Sequence, residues 1–372
     1  MLDPSENLDP IEGEGVPGES ESTGDKLEAI VEVPKIAGLV YQTDEGPGIT
    51  RIRAGTGFGY RDPDGKKITD RETRDRIRML AIPPAWESVW ISPNPAGHIQ
   101  ATGRDAKGRK QYRYHEKWSE HRGEEKYSNL SNFADALPAL RMQVESDLRR
   151  RGLPFERVVA SIVWLLDNTM IRVGNPAYAR DNKSFGLTTL RDKHVKIEGS
   201  KLRFAFRGKS GKEWNLGLVD QRMAKLIRAT QDIPGQSLFQ YLDEDGGRHA
   251  IRSDEVNAYI REHTGGEFTA RNFRTWGGTI SAASFFKDTP RPETQRATKM
   301  AMNGVLDKVA TRLGNTRAVC RRSYIHPRVI EGWSDGTLEA ELKEARRSWR
   351  KPVEGLDEEE TTVMKWLARG QA

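Results

Sequence analysis

Residues 202–219 read "LRFAFRGKSGKEWNLGLV". Leu202, Phe204 and Phe206 alternate with polar or small residues, "GKSGK" interrupts, and Trp214, Leu216 and Leu218 resume the alternation. A period of two on both sides of a Gly-rich turn predicts a β-hairpin with one face buried, its basic turn carrying Lys209 and Lys212. The flanks have a different period. In "PFERVVASIVWLLDNTMIR" (154–172), Phe155, Val158, Val159, Ile162 and Leu166 recur at helical spacing, with Pro154 suited to the first turn. Further helices are predicted over 220–231, 253–263, 270–286, about 295–313 and the C-terminal stretch, with Ser253 and Thr269 as N-caps. The hairpin is therefore an insertion in a helical domain.

The front of the chain is different again. Over residues 36–120, short apolar stretches such as "AGLVYQ" and "WESVWISP" are separated by turn clusters such as "DPDGKK" and "PNPAGH". This reads as antiparallel β structure, with one short helix in "DRETRDRIRML" and a linker near "EHRGEEKYS" (120–128). The expected class is α+β, with a small β-rich domain over 36–120 and a mainly α-helical domain over 125–372. Residues 1–34 have no hydrophobic period and are rich in Gly, Pro, Ser and Glu, so they are expected to be disordered.

That tail hides the charge of the rest. It holds ten acids against Lys26 alone, a charge of −9, which leaves residues 35–372 at +15 against a chain total of +6. Charge alone leaves a polyanionic partner and a merely solubilising role equally open. No apolar run approaches the ~20 residues of a membrane span, and the N-terminus lacks the basic start and apolar core of a secretory signal. Cys320 is the only cysteine, which excludes internal disulfides and cysteine-rich metal sites and suggests the cytoplasm.

Four places break otherwise ordinary patterns. Arg172 ends the helix of 154–172 beside Gly174, Lys209 stands in the hairpin turn, Arg274 lies early in an apolar helix, and "LGNTRAVCRRSYIHP" (313–327) holds Asn315 and Tyr324. Each has an ordinary structural explanation: a cation complementing a helix C-terminus, a solvated turn lysine, a snorkelling arginine and a buried tyrosine. Together they are what phosphoryl transfer to a tyrosine requires. A phenol of pKa about 10 must lose its proton as it attacks phosphorus. Two guanidiniums can hold the non-bridging oxygens, an ammonium can protonate the departing oxygen, and an amide adds a neutral hydrogen bond. No carboxylate cluster with metal-ligand spacing stands out, and there is no GxxxxGK[ST] loop.

At these residues the chain resembles the type IB DNA topoisomerases, in particular the short poxvirus-like and bacterial ones. The resemblance covers roughly residues 36–335 and rests on "GRDAKGRKQYRYHEKW", "IRVGNPAYARDNKSFGLTTL", "FRGKSGK", "NFRTWGGT" and "LGNTRAVCRRSYIHP", in that order. It implies a clamp around duplex DNA in which a tyrosine cuts one strand and becomes linked to the 3′ phosphate. The free end swivels and is then resealed, with neither ATP nor a metal cofactor. By this resemblance Tyr324 is the nucleophile, Arg172 and Arg274 clamp the phosphate, and Lys209 is the general acid, with Lys212 its competitor. Asn315 stands where many relatives have histidine, so no titration near pH 6.5 is expected from that position. His194 and His326 are read as structural. In "KQYRY", the resemblance implies DNA contacts near the cleavage site for Lys110, Gln111, Tyr112 and Tyr114; the ordinary alternative is a strand with its tyrosines in the core. The expected partner is double-stranded DNA, met by a monomer without an obligate protein partner or a membrane, in the cytoplasm at the nucleoid.

Two rivals share features of this reading. A tyrosine recombinase would use the same chemistry, but it typically shows His-x-x-Arg at the second arginine, where this chain has "ARNFR" with Ala270 and Arg271. A non-enzymatic basic DNA-binding protein would need neither the "GKSGK" turn nor "RRSY".

Overall fold

The computed structural model describes residues 38–106 and 108–369, so the acidic tail lies outside the described residues. The chain divides into two compact units, one ending at Lys126 and the other beginning at Tyr127. It is α+β, with 50% helix and 17% strand.

The first unit contains β1 (Ile49–Ala54), β2 (Gly57–Arg61), α1 (Arg71–Met79), β3 (Glu87–Ile91), β4 (Ile99–Arg104) and β5 (Lys110–Tyr114). The strands form one antiparallel sheet in the order β2-β1-β3-β4-β5. The short helix expected in "DRETRDRIRML" is α1; the Asp70 carboxylate caps it by accepting from the Thr73 N–H at 2.8 Å. Ile77 of α1 packs with Ile49, Trp86, Val89, Ile91 and Ala101 in a small core.

One expectation fails between the units. Residues 120–128 are not a linker but part of α2 (Glu116–Asp147). The stretch is charged, yet Glu, Lys and Arg are good helix formers and its one glycine, Gly123, costs only about 1 kcal/mol.

The second unit continues with α3 (Phe155–Thr169), α4 (Pro176–Asn182), β6 (Val195–Glu198), β7 (Lys201–Arg207), β8 (Glu213–Val219) and α5 (Gln221–Gln231). Then come β9 (Gln240–Leu242), β10 (Arg248–Ala250), α6 (Ser253–Thr264), α7 (Ala270–Lys287), α8 (Gln295–Leu313), α9 (Arg317–Ser323), α10 (Pro327–Asp335), α11 (Leu338–Arg347) and α12 (Glu358–Arg369). The predicted hairpin is β7–β8, in the register Leu202↔Leu218, Phe204↔Leu216 and Phe206↔Trp214. It gains a third strand, β6, that the alternation did not isolate. Burial of Phe204 and its like in this core stabilises by roughly 1.5–3 kcal/mol each.

Three local expectations are corrected. Pro154 is the N-cap of α3 rather than within its first turn. Arg252, not Ser253, is the N-cap of α6, because Glu255 reaches back to the Arg252 N–H at 2.7 Å. Arg172 does not end a helix: α3 stops at Thr169 and Met170 turns left-handed at φ 56°, which leaves Arg172 outside any helix or strand. Thr269 caps α7 as expected.

The C-terminal helices are integral to this unit. Glu360 of α12 accepts from the Trp276 indole of α7 at 3.0 Å and from Arg141 of α2 at 2.7 and 2.8 Å. Arg141 also grips Asp167 of α3 at 2.7 and 2.9 Å. One guanidinium therefore joins α2, α3 and α12, and through Glu360 reaches α7.

Candidate active site

Arg274 is 3% exposed on α7, one turn from its N-terminus. Its Nη1 donates to the Met170 carbonyl and its Nη2 to the Leu313 carbonyl, the latter at 2.8 Å. These are carbonyls at the C-terminal ends of α3 and α8, where a helix leaves acceptors unsatisfied and a cation is favoured. Burial pushes the guanidinium down to about 10; nearby Arg172 pushes the same way and Tyr324 opposes both. The group remains charged at neutral pH.

Arg172 is fixed by its backbone, since its carbonyl accepts from the Leu187 N–H at 2.9 Å. Gly186 allows this: a Cβ there would stand 2.5 Å from that carbonyl oxygen and 2.6 Å from Gly174. Through space Arg172 reaches Asn315, whose Oδ1 accepts from its Nη2. That turns the Asn315 amide nitrogen away from Arg172. Asn315 follows Gly314, the left-handed cap that ends α8.

Tyr324 ends α9 and is 5% exposed. The Arg274 guanidinium stands 4.9 Å from its ring centre and that of Arg271 5.9 Å, within the range of cation–π attraction. Its backbone is held close to α7, where a Cβ on Gly278 would meet the Tyr324 carbonyl at 2.6 Å. Beyond it, the Thr279 hydroxyl accepts from the His326 N–H at 3.1 Å. From the other side Tyr127 of α2 donates its hydroxyl to the Arg322 carbonyl at 3.0 Å.

Three side-chain donors here are buried without a hydrogen-bond partner: Arg172 Nη1, Arg274 Nε and Asn315 Nδ2. Each orphaned donor costs about 1–3 kcal/mol. Among the described residues neither arginine makes an ion pair; Arg172 donates to an amide oxygen, and Arg274 to two carbonyls and to the Tyr324 side chain. Two uncompensated cations with three unused N–H donors form a receptor for an anion with several acceptor oxygens.

Lys209 lies in a single 3₁₀ turn between β7 and β8 and is half-buried, whereas Lys212 at the far end of that turn is exposed. Trp214 relates this turn to the rest. A Cβ on Gly208 would fall 2.8 Å from the indole Cδ1, and one on Gly314 would fall 2.7 Å from its Cζ2. The residues after those glycines are Lys209 and Asn315. The structure thus brings Arg172, Arg274, Asn315 and Tyr324 into one cluster, with the Lys209 turn anchored beside Asn315.

His194 and His326 behave as structural residues. Burial pushes both imidazoles down, His326 to about 4. The His326 ring caps α10 by accepting from the Arg328 N–H at 3.2 Å. Arg321 and Arg322 are exposed and make no ion pair among the described residues. Arg271, one turn before Arg274 on the same helix, was not singled out as a site residue, although its i, i−3 spacing was a usable signal. A cavity of about 500 Å³ is lined by Arg141, Trp164, Asp167, Trp276, Ile280 and Glu360 among others and by none of the five candidate residues. The cluster is the better candidate, because it gathers buried donors lacking acceptors, whereas Arg141, Asp167 and Glu360 of the cavity are paired with one another.

In the first unit, the residues expected to meet DNA lie on β5, an edge strand. Lys110 is paired with Asp44 at 2.7 Å, and the Gln111 amide donates to Asp105 at 3.0 Å. Tyr112 and Tyr114 stack at 5.8 Å on one face of the strand, half-buried rather than in the core. Gln111 is on the other face by alternation.

Two family descriptions match the chain: the catalytic core of eukaryotic DNA topoisomerase I over residues 115–349, and the N-terminal domain of bacterial DNA topoisomerase IB over residues 57–105. The chain is 34% identical over 294 residues to DNA topoisomerase 1B of Acanthamoeba polyphaga mimivirus, covering 76% of this chain and 87% of that one. It is 23% identical over 235 residues to DNA topoisomerase 1B of vaccinia virus (strain Western Reserve), covering 62% and 70%. DNA topoisomerase 1 of Mycosarcoma maydis is 21% identical over 183 residues, 44% of this chain and 18% of that one. The chain belongs to the type IB DNA topoisomerase family.

Proposed function

We propose that this protein relaxes positive and negative supercoils in double-stranded DNA by cutting and resealing one strand through a phosphotyrosine bond, without ATP or metal. The observation that carries this reading is the set of three buried, acceptor-less donors on Arg172, Arg274 and Asn315 beside Tyr324.

In the forward step the Tyr324 oxygen attacks the scissile phosphorus and gives its proton to solvent as the O–P bond forms. Arg172 Nη1, Arg274 Nε and Asn315 Nδ2 donate to the non-bridging oxygens, where negative charge builds. The bond from phosphorus to the 5′ oxygen breaks, and the Lys209 ammonium gives that oxygen a proton. The 3′ end stays on Tyr324 while the 5′ hydroxyl end is free to turn. Resealing is the same transfer reversed, with the 5′ hydroxyl as nucleophile and the tyrosine as leaving group. Torsion stored in the DNA supplies the driving force, so one protein molecule suffices.

Edge strand β5 is the proposed DNA contact of the first unit. Lys110 would exchange Asp44 for a phosphate, Gln111 would exchange Asp105 for a base edge, and the stacked Tyr112 and Tyr114 offer a flat apolar surface.

The test is relaxation of negatively and positively supercoiled plasmid in EDTA without ATP. Wild type should relax both, while Tyr324→Phe should bind DNA and relax neither. An inert wild type, or an active Tyr324→Phe, would refute the reading.

A further inference from the structure

We infer that Trp214 is a positioning residue for strand cleavage: its indole locks the turn bearing Lys209 onto the α8–α9 junction bearing Asn315, and so fixes where the Lys209 ammonium stands. The inference rests on the reading of Lys209 as the proton donor to the 5′ oxygen.

Trp214 is buried near the start of β8, with its ring in parallel offset contact with Phe206 at 5.9 Å and 5°. The two are register partners on the core face of the hairpin, so the indole's plane is set by the sheet. Its outer edge is wedged between two glycines. Gly208, immediately before Lys209, brings its α-carbon so close that a Cβ would overlap Cδ1 and Nε1, both at 2.8 Å. Gly314, immediately before Asn315, would overlap Cζ2 at 2.7 Å and Cε2 at 2.8 Å. The two glycines are there for different reasons. Gly314 has φ +57°, which favours glycine by conformation alone. Gly208 has φ −93° and ψ −168°, a backbone any residue adopts. At Gly208 the missing side chain answers only to the indole.

The turn needs such an anchor. Its backbone hydrogen bonds are internal, from the Gly208 N–H to the Lys212 carbonyl at 2.7 Å and from the Lys212 N–H to the Lys209 carbonyl at 3.3 Å. They set the turn's shape and leave its attitude towards the cluster open. One backbone tie, from the Phe185 N–H to the Arg207 carbonyl at 2.8 Å, holds the end of β7 and does not depend on the indole. Loss of Trp214 should therefore leave the hairpin folded and free the last few residues that aim Lys209. An ammonium displaced by an ångström no longer meets the departing oxygen in line.

The experiment uses the full chain and single-turnover cleavage at a site first mapped with wild type. Two duplexes are compared: ordinary DNA and DNA with sulfur in place of the scissile 5′ bridging oxygen. A thiol has a pKa of about 8.5, so a thiolate leaves without being protonated and a missing proton donor ceases to matter. Lys209→Ala should be slowed about 100-fold or more on oxygen and be restored to near wild type on sulfur. Trp214→Ala and Gly208→Ala should each be slowed roughly 10- to 100-fold on oxygen and likewise be restored on sulfur. In the Trp214→Ala background, Gly208→Ala should add little, because its target is gone.

If Lys209→Ala is restored while Trp214→Ala and Gly208→Ala are equally slow on both substrates, the indole is merely structural and the inference falls alone. Full activity of both on ordinary DNA overturns it too. If Lys209→Ala itself is not restored by sulfur, the proton-donor reading fails and the inference fails with it. Should Trp214→Ala not fold, Gly208→Ala and Trp214→Phe carry the same comparison, with unchanged melting as the control.

Discussion

Replacing Arg141 by methionine should destabilise the C-terminal unit strongly, and acid should partly repair the damage. All five N–H groups of Arg141 are used. Nε and Nη2 hold Asp167 at 2.7 and 2.9 Å, Nη1 and Nη2 hold Glu360 at 2.7 and 2.8 Å, and Nη1 also reaches the Gly355 carbonyl at 2.7 Å. Methionine keeps some apolar packing and leaves two buried carboxylates facing each other. Removing one partner of a buried ion pair costs about 3–5 kcal/mol. The lower end applies, because 28% of the Arg141 side chain remains exposed. A loss of about 3 kcal/mol should lower the melting midpoint by roughly 6–12 °C for a unit of this size. The pH dependence carries a definite sign. Burial pushes the Glu360 carboxyl up, and the hydrogen bonds of Arg141 more than offset it; burial also raises Asp167, only partly opposed by Arg141. Without the arginine both folded-state pKa values rise above the unfolded ones. The penalty is then full at pH 8 and shrinks as the native state takes up protons towards pH 5. Urea unfolding of wild type and variant at both pH values measures this. A difference below about 1 kcal/mol at pH 8, or one that grows on acidification, would refute the reasoning.

Three further outcomes follow from the site. Lys209→Ala should slow single-turnover cleavage by roughly 10²- to 10⁴-fold and Lys212→Ala should leave it near wild type; equal losses would contradict the assignment. Asn315→Asp sets a carboxylate against the Arg172 guanidinium, where the phosphate would bind, and should slow cleavage by about 100-fold or more, whereas Asn315→His should add an inflection near pH 6.5 to a rate profile that lacks one there in wild type. His326, pushed down by burial to about 4, is neutral in the native state, so its contribution is full above pH 6.5 and lost as pH falls towards 4. Between pH 7 and 5 this amounts to at most about 2 kcal/mol. His326→Asn keeps a capping acceptor and should flatten that slope in urea titrations, and an unchanged slope would contradict it.

What could be read from the sequence follows from which signals are local. The β7–β8 hairpin was legible because a period of two fixes both faces and register, and Leu202, Phe204 and Phe206 meet Leu218, Leu216 and Trp214 across it. The N-terminal part of α2 was not, because a charged helix without an apolar stripe looks like a loop until the tertiary structure supports it. Strands β9 and β10, three residues each, are too short for any period to show. The end of α3 escaped because nothing local announces a methionine in the left-handed region. In the site, residue types and their order pointed to phosphate chemistry. The grip of Arg172 on Asn315 spans 143 residues, and the wedge of Trp214 between Gly208 and Gly314 also joins distant segments, so neither was visible in any one stretch.

The central claim is that Tyr324 takes the DNA phosphate. The most direct measurement is denaturant trapping on a duplex whose cleaved strand loses its short 5′-hydroxyl fragment, with 3′-side and 5′-side labels in parallel, followed by peptide mapping of the adduct. The account predicts a covalent complex that retains the strand's new 3′ end on the peptide containing Tyr324, and none with Tyr324→Phe. An adduct on the 5′ end, on another residue, or undiminished in Tyr324→Phe would contradict it.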